Sequence, residues 1–230
     1  MVADRPGRRP AARRALLVGA TGLTGSKLLA LLLRSPDCSV VHVLARRPLA
    51  LRHPKLRVHE VDFASLRAED LPEVDDVHCC LGTTIRAAGS RAAFREVDHD
   101  HVVRVARLAR ERGATRLAVI SAMGADPRSL VFYSRVKGEM EASVSALGYE
   151  SVTLLRPSLL AGERAERRPG ERLGLIAARA LAPLIPLRYR AISADAVAAA
   201  MRHFAAEGEP GVQVVESGRL QAFERGSGPS

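Results

Sequence analysis

The chain has no tryptophan and no asparagine, and aromatic side chains make up only 3% of its 230 residues. That scarcity bears on nucleic-acid binding, because single-strand platforms stack bases on Phe, Tyr and Trp. Lysine is nearly missing as well: Lys27, Lys55 and Lys137 stand among 35 basic residues. The net charge of +10 is therefore arginine scattered through helices, loops and tail, not a stripe interleaved with aromatics. Such a distribution reads as solvated surface, and no specific nucleic-acid partner is expected. No apolar run approaches ~20 residues, so no membrane-spanning helix is expected. Arg5, Arg8, Arg9, Arg13 and Arg14 precede Leu16 without an apolar block, unlike a secretory signal, and Pro6, Gly7 and Pro10 spoil a helical presequence. Residues 1–14 read as a disordered basic arm. Cysteine occurs three times, and the adjacent Cys79-Cys80 cannot sensibly pair with itself. Cys38, Cys79 and Cys80 read as buried thiols in a reducing, cytoplasmic compartment.

What the chain does have is concentrated at Leu16-Leu17-Val18-Gly19-Ala20-Thr21-Gly22-Leu23-Thr24-Gly25. An apolar run ends in glycines spaced three apart, and a helical apolar pattern follows. This is a strand, a tight turn and a helix whose N-terminus points back at the turn. Unpaired N–H groups and the positive end of the helix dipole converge there, which suits a phosphate. Gly19 permits the turn, Gly22 admits a pyrophosphate to the backbone, and Gly25 lets the helix close onto the strand. The spacing GxxGxxG is a variant of the dinucleotide fingerprint.

Beyond it, apolar β-branched runs alternate with helical patterns. The spacing predicts strands at 15–19, 40–45, 56–61, 76–81, 116–121 and 151–155. It predicts helices at 22–34, 90–112, 131–147, 171–181 and 194–207. In 90–112, Phe94, Val97, His101, Val105 and Leu108 define a buried face, and Gly113 is a natural stop. Alternation of this kind implies an α/β fold with a doubly wound parallel sheet and ligands at the carboxyl ends of the strands. The expected organisation is a single Rossmann domain over 15–216 with substrate-side loops mainly in 157–192. A flexible tail is expected over 217–230, frayed from Arg219 onward.

Arg46 and Arg47 follow the second strand, where a NAD-specific fold usually places an acid for the ribose 2′-hydroxyl. Two guanidiniums there suit a 2′-phosphate and hence NADP(H). Asp62 ends the third strand, placed to accept from an adenine amino group. Leu81-Gly82-Thr83-Thr84 close the fourth strand, where tight backbone can lie over a ribose. In Tyr133-Ser134-Arg135-Val136-Lys137, a phenol and an ammonium share one helical face. A phenol near pKa 10 is a poor acid at neutral pH, and a neighbouring Lys⁺ stabilises its phenolate. Ser121, ending the fifth strand, is placed to hydrogen-bond a substrate oxygen. Asp98-His99-Asp100-His101 is not a compact ligand set, because on a helix only Asp98 and His101 share a face. No metal site is expected.

Together, Gly19–Gly25, the Cys79-Cys80-Leu81-Gly82-Thr83-Thr84 block, Ser121, Tyr133 with Lys137-Gly138-Glu139, and Arg156-Pro157-Ser158-Leu159 carry a resemblance. The chain resembles an atypical short-chain dehydrogenase/reductase, in the branch of the Tat-interacting oxidoreductase-like proteins and their bacterial relatives. The likeness covers about residues 16–216. It implies NADP(H) at the glycine turn (Gly19, Thr21, Gly22, Leu23, Thr24, Gly25), a Ser121-Tyr133-Lys137 catalytic set, and Arg156-Pro157-Ser158 near the nicotinamide. Many short-chain dehydrogenases add a helix asparagine to that set. This chain has none, and Asp98 fills some of that space without being an equivalent proton relay.

The reading is an NADPH-dependent oxidoreductase that moves a hydride to or from a small carbonyl or alcohol. Arginines 164, 167 and 168 in the substrate-side loops would suit an anionic substrate. The alternatives are an NADPH-holding redox sensor without turnover and an isomerase or epimerase that uses the cofactor transiently. A homodimer or protein partner is compatible with all three.

Overall fold

The protein is described here by a computed structural model covering residues 12–161 and 186–225. Seven strands form one parallel sheet: β1 (Arg13–Val18), β2 (Cys38–Ala45), β3 (Leu56–Glu60), β4 (Asp76–Cys79), β5 (Arg116–Ile120), β6 (Ser151–Arg156) and β9 (Gly211–Glu216). A two-residue pair, β7 (Leu160–Ala161) and β8 (Ile192–Ser193), stands apart from it. The order in the main sheet is β3-β2-β1-β4-β5-β6-β9. Strand order therefore reverses beside β1, and the crevice between the ends of β1 and β4 is the place where such sheets bind ligands.

The helices are α1 (Leu23–Arg34), α2 (Ile85–Ala88), α3 (Arg91–Arg95), α4 (His101–Glu111), α5 (Phe132–Ser145), α6 (Ala194–Glu207) and α7 (Ser217–Leu220). Leu16 and Leu17 are both fully buried on opposite faces of β1, which is why the strand reads as a continuous apolar run. One face packs Leu17, Val41 and Val43 against Leu28 and Leu32 of α1 and Met201 and Phe204 of α6. The other packs Leu16, Val18 and Leu117 against Val102 and Val105 of α4 and Met140 and Val144 of α5. Each such side chain contributes about 1.5–3 kcal/mol by leaving water.

Four expectations change. The disordered arm expected over 1–14 does not hold for Arg13 and Arg14, which open β1 and pair with Asp76 at 2.6 Å and Asp75 at 3.0 Å. The helix expected over 90–112 is interrupted: residues Glu96–Asp100 form a π turn in which the His101 N–H bonds the Glu96 carbonyl. The extra residue in that turn advances the buried face, so Phe94 and Asp98 are inside, followed by Val102 and Val105. The frayed tail does not hold for 217–225. There α7 and a 3₁₀ segment (Gln221–Arg225) bury Leu220 and Phe223, with Phe223 meeting the Phe204 ring at 5.8 Å. Finally, β9 was not foreseen, because only Val215 of its six residues is buried. The expected helix 171–181 and arginines 164, 167 and 168 lie outside the described residues.

Candidate functional site

The turn after β1 is built by three close approaches. Gly19 has φ +82°, and a Cβ there would stand 2.5 Å from the Cys80 carbonyl oxygen at the end of β4. A Cβ on Gly25 would overlap the Gly19 carbonyl, so helix α1 lies directly on the turn. Gly22 is the N-cap of α1, in extended backbone, and its N–H bonds the Gly19 oxygen at 3.0 Å. No side chain caps this helix and its first turn carries no acid. The positive end of α1 is thus not offset by an acid of its own first turn. Thr24 adds a buried hydroxyl without a hydrogen-bond partner, while Thr21 and Leu23 are exposed at the mouth.

Arg46 and Arg47 are exposed after β2. Neither guanidinium has an ion-pair partner among the described residues. Both line a cleft of about 450 Å³ together with Gly19, Ala20, Thr21, Leu44, Phe63 and Leu81. The cleft joins the glycine turn to the two arginines. Asp62 lines a separate, smaller cleft with His59, Glu60 and Asp70. Its carboxylate accepts from the Ala64 N–H at 3.1 Å and the Ser65 hydroxyl at 2.8 Å, and these bonds hold its pKa down.

At the end of β4, Gly82 is exposed and Leu81 is half-buried. The Thr83 N–H donates to Asp98 Oδ2 at 2.8 Å, and the Thr84 hydroxyl caps α2 by accepting from the Ala87 N–H. Asp98 Oδ1 lies 2.8 Å from Lys137 Nζ, and both side chains are almost wholly buried. Tyr133 stands one turn before Lys137 on α5, its ring 5.4 Å from that of Phe94. Gly138 lets α5 press against the Asp126–Pro127 backbone, and this close approach fixes the loop that precedes the helix. Ser121 is buried with its Oγ unpartnered.

The Tyr133 phenol differs from the sequence expectation. Burial pushes its pKa up; Lys137 opposes that, and the Asp98 charge adds to the rise. The lysine is present as foreseen, but a carboxylate answers it. From the sequence, Asp98 only fills some of the space of the missing asparagine; in the structure it sits in the π turn and pairs with Lys137.

Arg156 is otherwise engaged. Its guanidinium grips Glu141 through two bonds of 2.9 and 2.6 Å and reaches Glu216 at 3.0 Å. Pro157 is buried and its carbonyl accepts from the Met123 N–H, while the Ser158 hydroxyl donates to the Arg190 carbonyl. The loops after β5 and β6 are thereby tied together, although the two side chains flanking Pro157 face protein partners. The cysteines are free thiols, and burial pushes Cys79 up to about 11.

Comparison with known proteins bears on this arrangement. The family described as NAD(P)H-binding matches residues 19–207. A protein of Coccidioides immitis named "Protein FMP52, mitochondrial" is 38% identical over 166 residues, covering 66% of this chain and 68% of its own. The Rattus norvegicus "Protein HTATIP2" is 38% identical over 160 residues, 67% of this chain and 66% of that one. Among solved structures, MoeE5 in complex with UDP-glucose and NAD superposes with a TM-score of 0.66 at 21% identity. That match covers 93% of this chain and 82% of the other. A short chain dehydrogenase family protein from Francisella tularensis gives 0.62 at 14% identity, over 90% and 98%. These structural likenesses show a Rossmann-type fold, as the sequence expects.

Proposed function

The chain belongs to the NAD(P)H-binding family, and from that premise we propose that it is an NADPH-dependent oxidoreductase acting on a small carbonyl or alcohol. The observation that carries the reading is a buried ammonium one helical turn from a half-buried phenol, below the backbone that closes β4. That strand ends beside an uncapped helix N-terminus built for a phosphate. The residues present fit a dinucleotide. The N–H groups at the start of α1 would take the pyrophosphate, and Arg46 and Arg47, unpaired among the described residues, would take a 2′-phosphate. Leu81, Gly82 and Thr83 would border the second ribose, with Thr84 behind them. Asp62 and the segment Arg156-Pro157-Ser158 stay in the proposal as neighbours of the adenine and the nicotinamide. Arg156 and Ser158 would contribute backbone there, since their side chains are engaged elsewhere.

When bound, the nicotinamide supplies or accepts the hydride. The protein handles the proton. In reduction, Tyr133 gives its phenolic proton to the nascent alkoxide, Lys137 stabilises the phenolate left behind, and the unpartnered Ser121 hydroxyl orients the oxygen. In oxidation the same groups run in reverse. The substrate would be a small molecule held at the ends of β5 and β6. The proposed compartment is cytoplasmic; the Coccidioides relative carries "mitochondrial" in its name. No helix among the described residues is long and apolar enough to cross a membrane.

The test is single-turnover hydride transfer after a screen of NADPH consumption against aldehydes, ketones and quinones. Tyr133→Phe keeps the ring and removes the proton, so the rate should fall by roughly two to four decades, about 3–5 kcal/mol of barrier. NADPH affinity should be retained. An undiminished rate removes the phenol from the reaction.

A further inference from the structure

The charge at the proton-transfer end of the crevice is closed on itself. Lys137 Nζ lies 2.8 Å from Asp98 Oδ1, and the other carboxylate oxygen is held by the Thr83 N–H at 2.8 Å. Asp98 therefore has a fixed orientation, set from one side by the π turn that carries it and from the other by the strand end it braces. Gly82 puts no side chain over the buried pair. A Cβ there would stand 3.4 Å from Asp98 Oδ1 and 3.9 Å from Lys137 Nζ, with only backbone above the two charges. Few other charges act on this corner. The charges that act on Tyr133 are Lys137 from its own helix and Asp98 from the π turn. Phe94 of α3 offers an uncharged ring, Cys79 of β4 a neutral thiol, and Arg95 of α3 is closed onto Glu139 of α5.

We infer that Asp98 is a positioning residue for the Tyr133–Lys137 pair: it fixes the ammonium in place and offsets its charge, so the pair holds its first proton to higher pH than the phenol and ammonium alone would. The argument does not depend on which of the two groups gives up that proton. With Asp98 ionised, the site is neutral before the proton leaves and carries −1 afterwards. With a neutral side chain of the same shape, it carries +1 before and nothing afterwards. In a site this buried, arriving at neutrality is easier than arriving at a net charge, so the first proton leaves at lower pH when Asp98 is neutralised. In the working protein, the consequence is that carbonyl reduction, which needs the phenolic proton, extends to higher pH. Alcohol oxidation, which needs the phenolate, begins later.

The proposal rests on the reading of Tyr133 and Lys137 as the proton-transfer pair, but its test needs no substrate. The chain holds three tyrosines (Tyr133, Tyr149, Tyr189) and three lysines, so Cζ-labelled tyrosine and Nζ-labelled lysine give few signals. Tyr133→Phe identifies the one of interest. In Asp98→Asn, the pH at which the pair releases its first proton should fall by about one to two units, with the Tyr149 and Tyr189 signals unmoved. An unmoved or raised value overturns the proposal. Should Asp98→Asn not fold, Asp98→Asn/Lys137→Met removes both charges together and leaves no buried ion unpaired. There Tyr133 should titrate within about half a unit of its native position, because two opposed charges have gone. A rise of a full unit or more would mean that Asp98 offsets nothing. Failure of either titration leaves the oxidoreductase reading standing, since that is tested separately by hydride transfer and by the turnover of Tyr133→Phe.

Discussion

The two ends of the crevice are finished to different degrees. At the phosphate end, the N-terminus of α1 has no side-chain cap, Thr24 Oγ1 has no partner, and Arg46 and Arg47 form no ion pair among the described residues. At the proton-transfer end, Lys137, Asp98 and the Thr83 N–H satisfy one another, while Ser121 Oγ has no partner among the described residues. The first end carries a positive field awaiting an anion, so occupancy there should dominate affinity. The second end is electrically balanced before anything binds, so it should govern pH dependence and rate while contributing little to affinity. The difference separates holding a cofactor from using it.

The largest expected effect breaks the open end. Gly22 has ordinary extended backbone, so Gly22→Val is compatible with the local conformation, but its Cβ would sit 3.2 Å from the Gly19 oxygen and its branches where a phosphate approaches. NADPH affinity should drop at least a hundredfold, about 2.7 kcal/mol, with the urea midpoint near native. Titration of a folded variant that binds as tightly as the native chain would place the phosphates elsewhere. A smaller effect sharpens the cofactor choice. Arg46→Ala/Arg47→Ala should weaken NADPH about tenfold or more, roughly 1.4 kcal/mol, and barely alter NADH. Equal losses for both would make these arginines structural.

The smallest effect lies away from both ends and controls for stability. Burial lowers the pKa of His78, inside the sheet; burial first, and then His59, lowers that of His42 to about 4. Both stay neutral in the fold while the unfolded chain takes up protons below about pH 6.5. The unfolded state then binds more protons, so stability is full above pH 6.5 and declines as the pH falls towards 4. His78→Gln should flatten that decline in urea midpoints measured at successive pH values. An equally steep decline in the variant would remove His78 from the account.

The open end was legible in the sequence because its signal is local: strand, three glycines and helix follow one another without a break. Helix 194–207 was legible for the same reason, with Ser193 capping its start and Gly208 ending it at φ +62°. The closed end depends on parts that sequence spacing does not join. The pairing of Asp98 with Lys137 is set by a π turn that shifts the phase of the buried face, and periodicity of 3.6 cannot register an inserted residue. Arg156 was read towards the nicotinamide, yet its carboxylate partners come from α5 and from β9, a strand whose half-exposed pattern hid it. That Tyr133 and Lys137 share one helix, four residues apart, was legible because such spacing needs no tertiary knowledge.

The central claim is that this chain moves a hydride, and isotope transfer tests it most directly. NADPH carrying deuterium at the transferable position of the nicotinamide is mixed with the native chain and a set of aldehydes and ketones. The alcohols are then analysed by mass spectrometry. The account predicts one deuterium on the carbinol carbon of at least one product, and its loss in Tyr133→Phe. Tight NADPH binding with no deuterium in any alcohol would contradict it and leave a protein that holds the cofactor without turning it over.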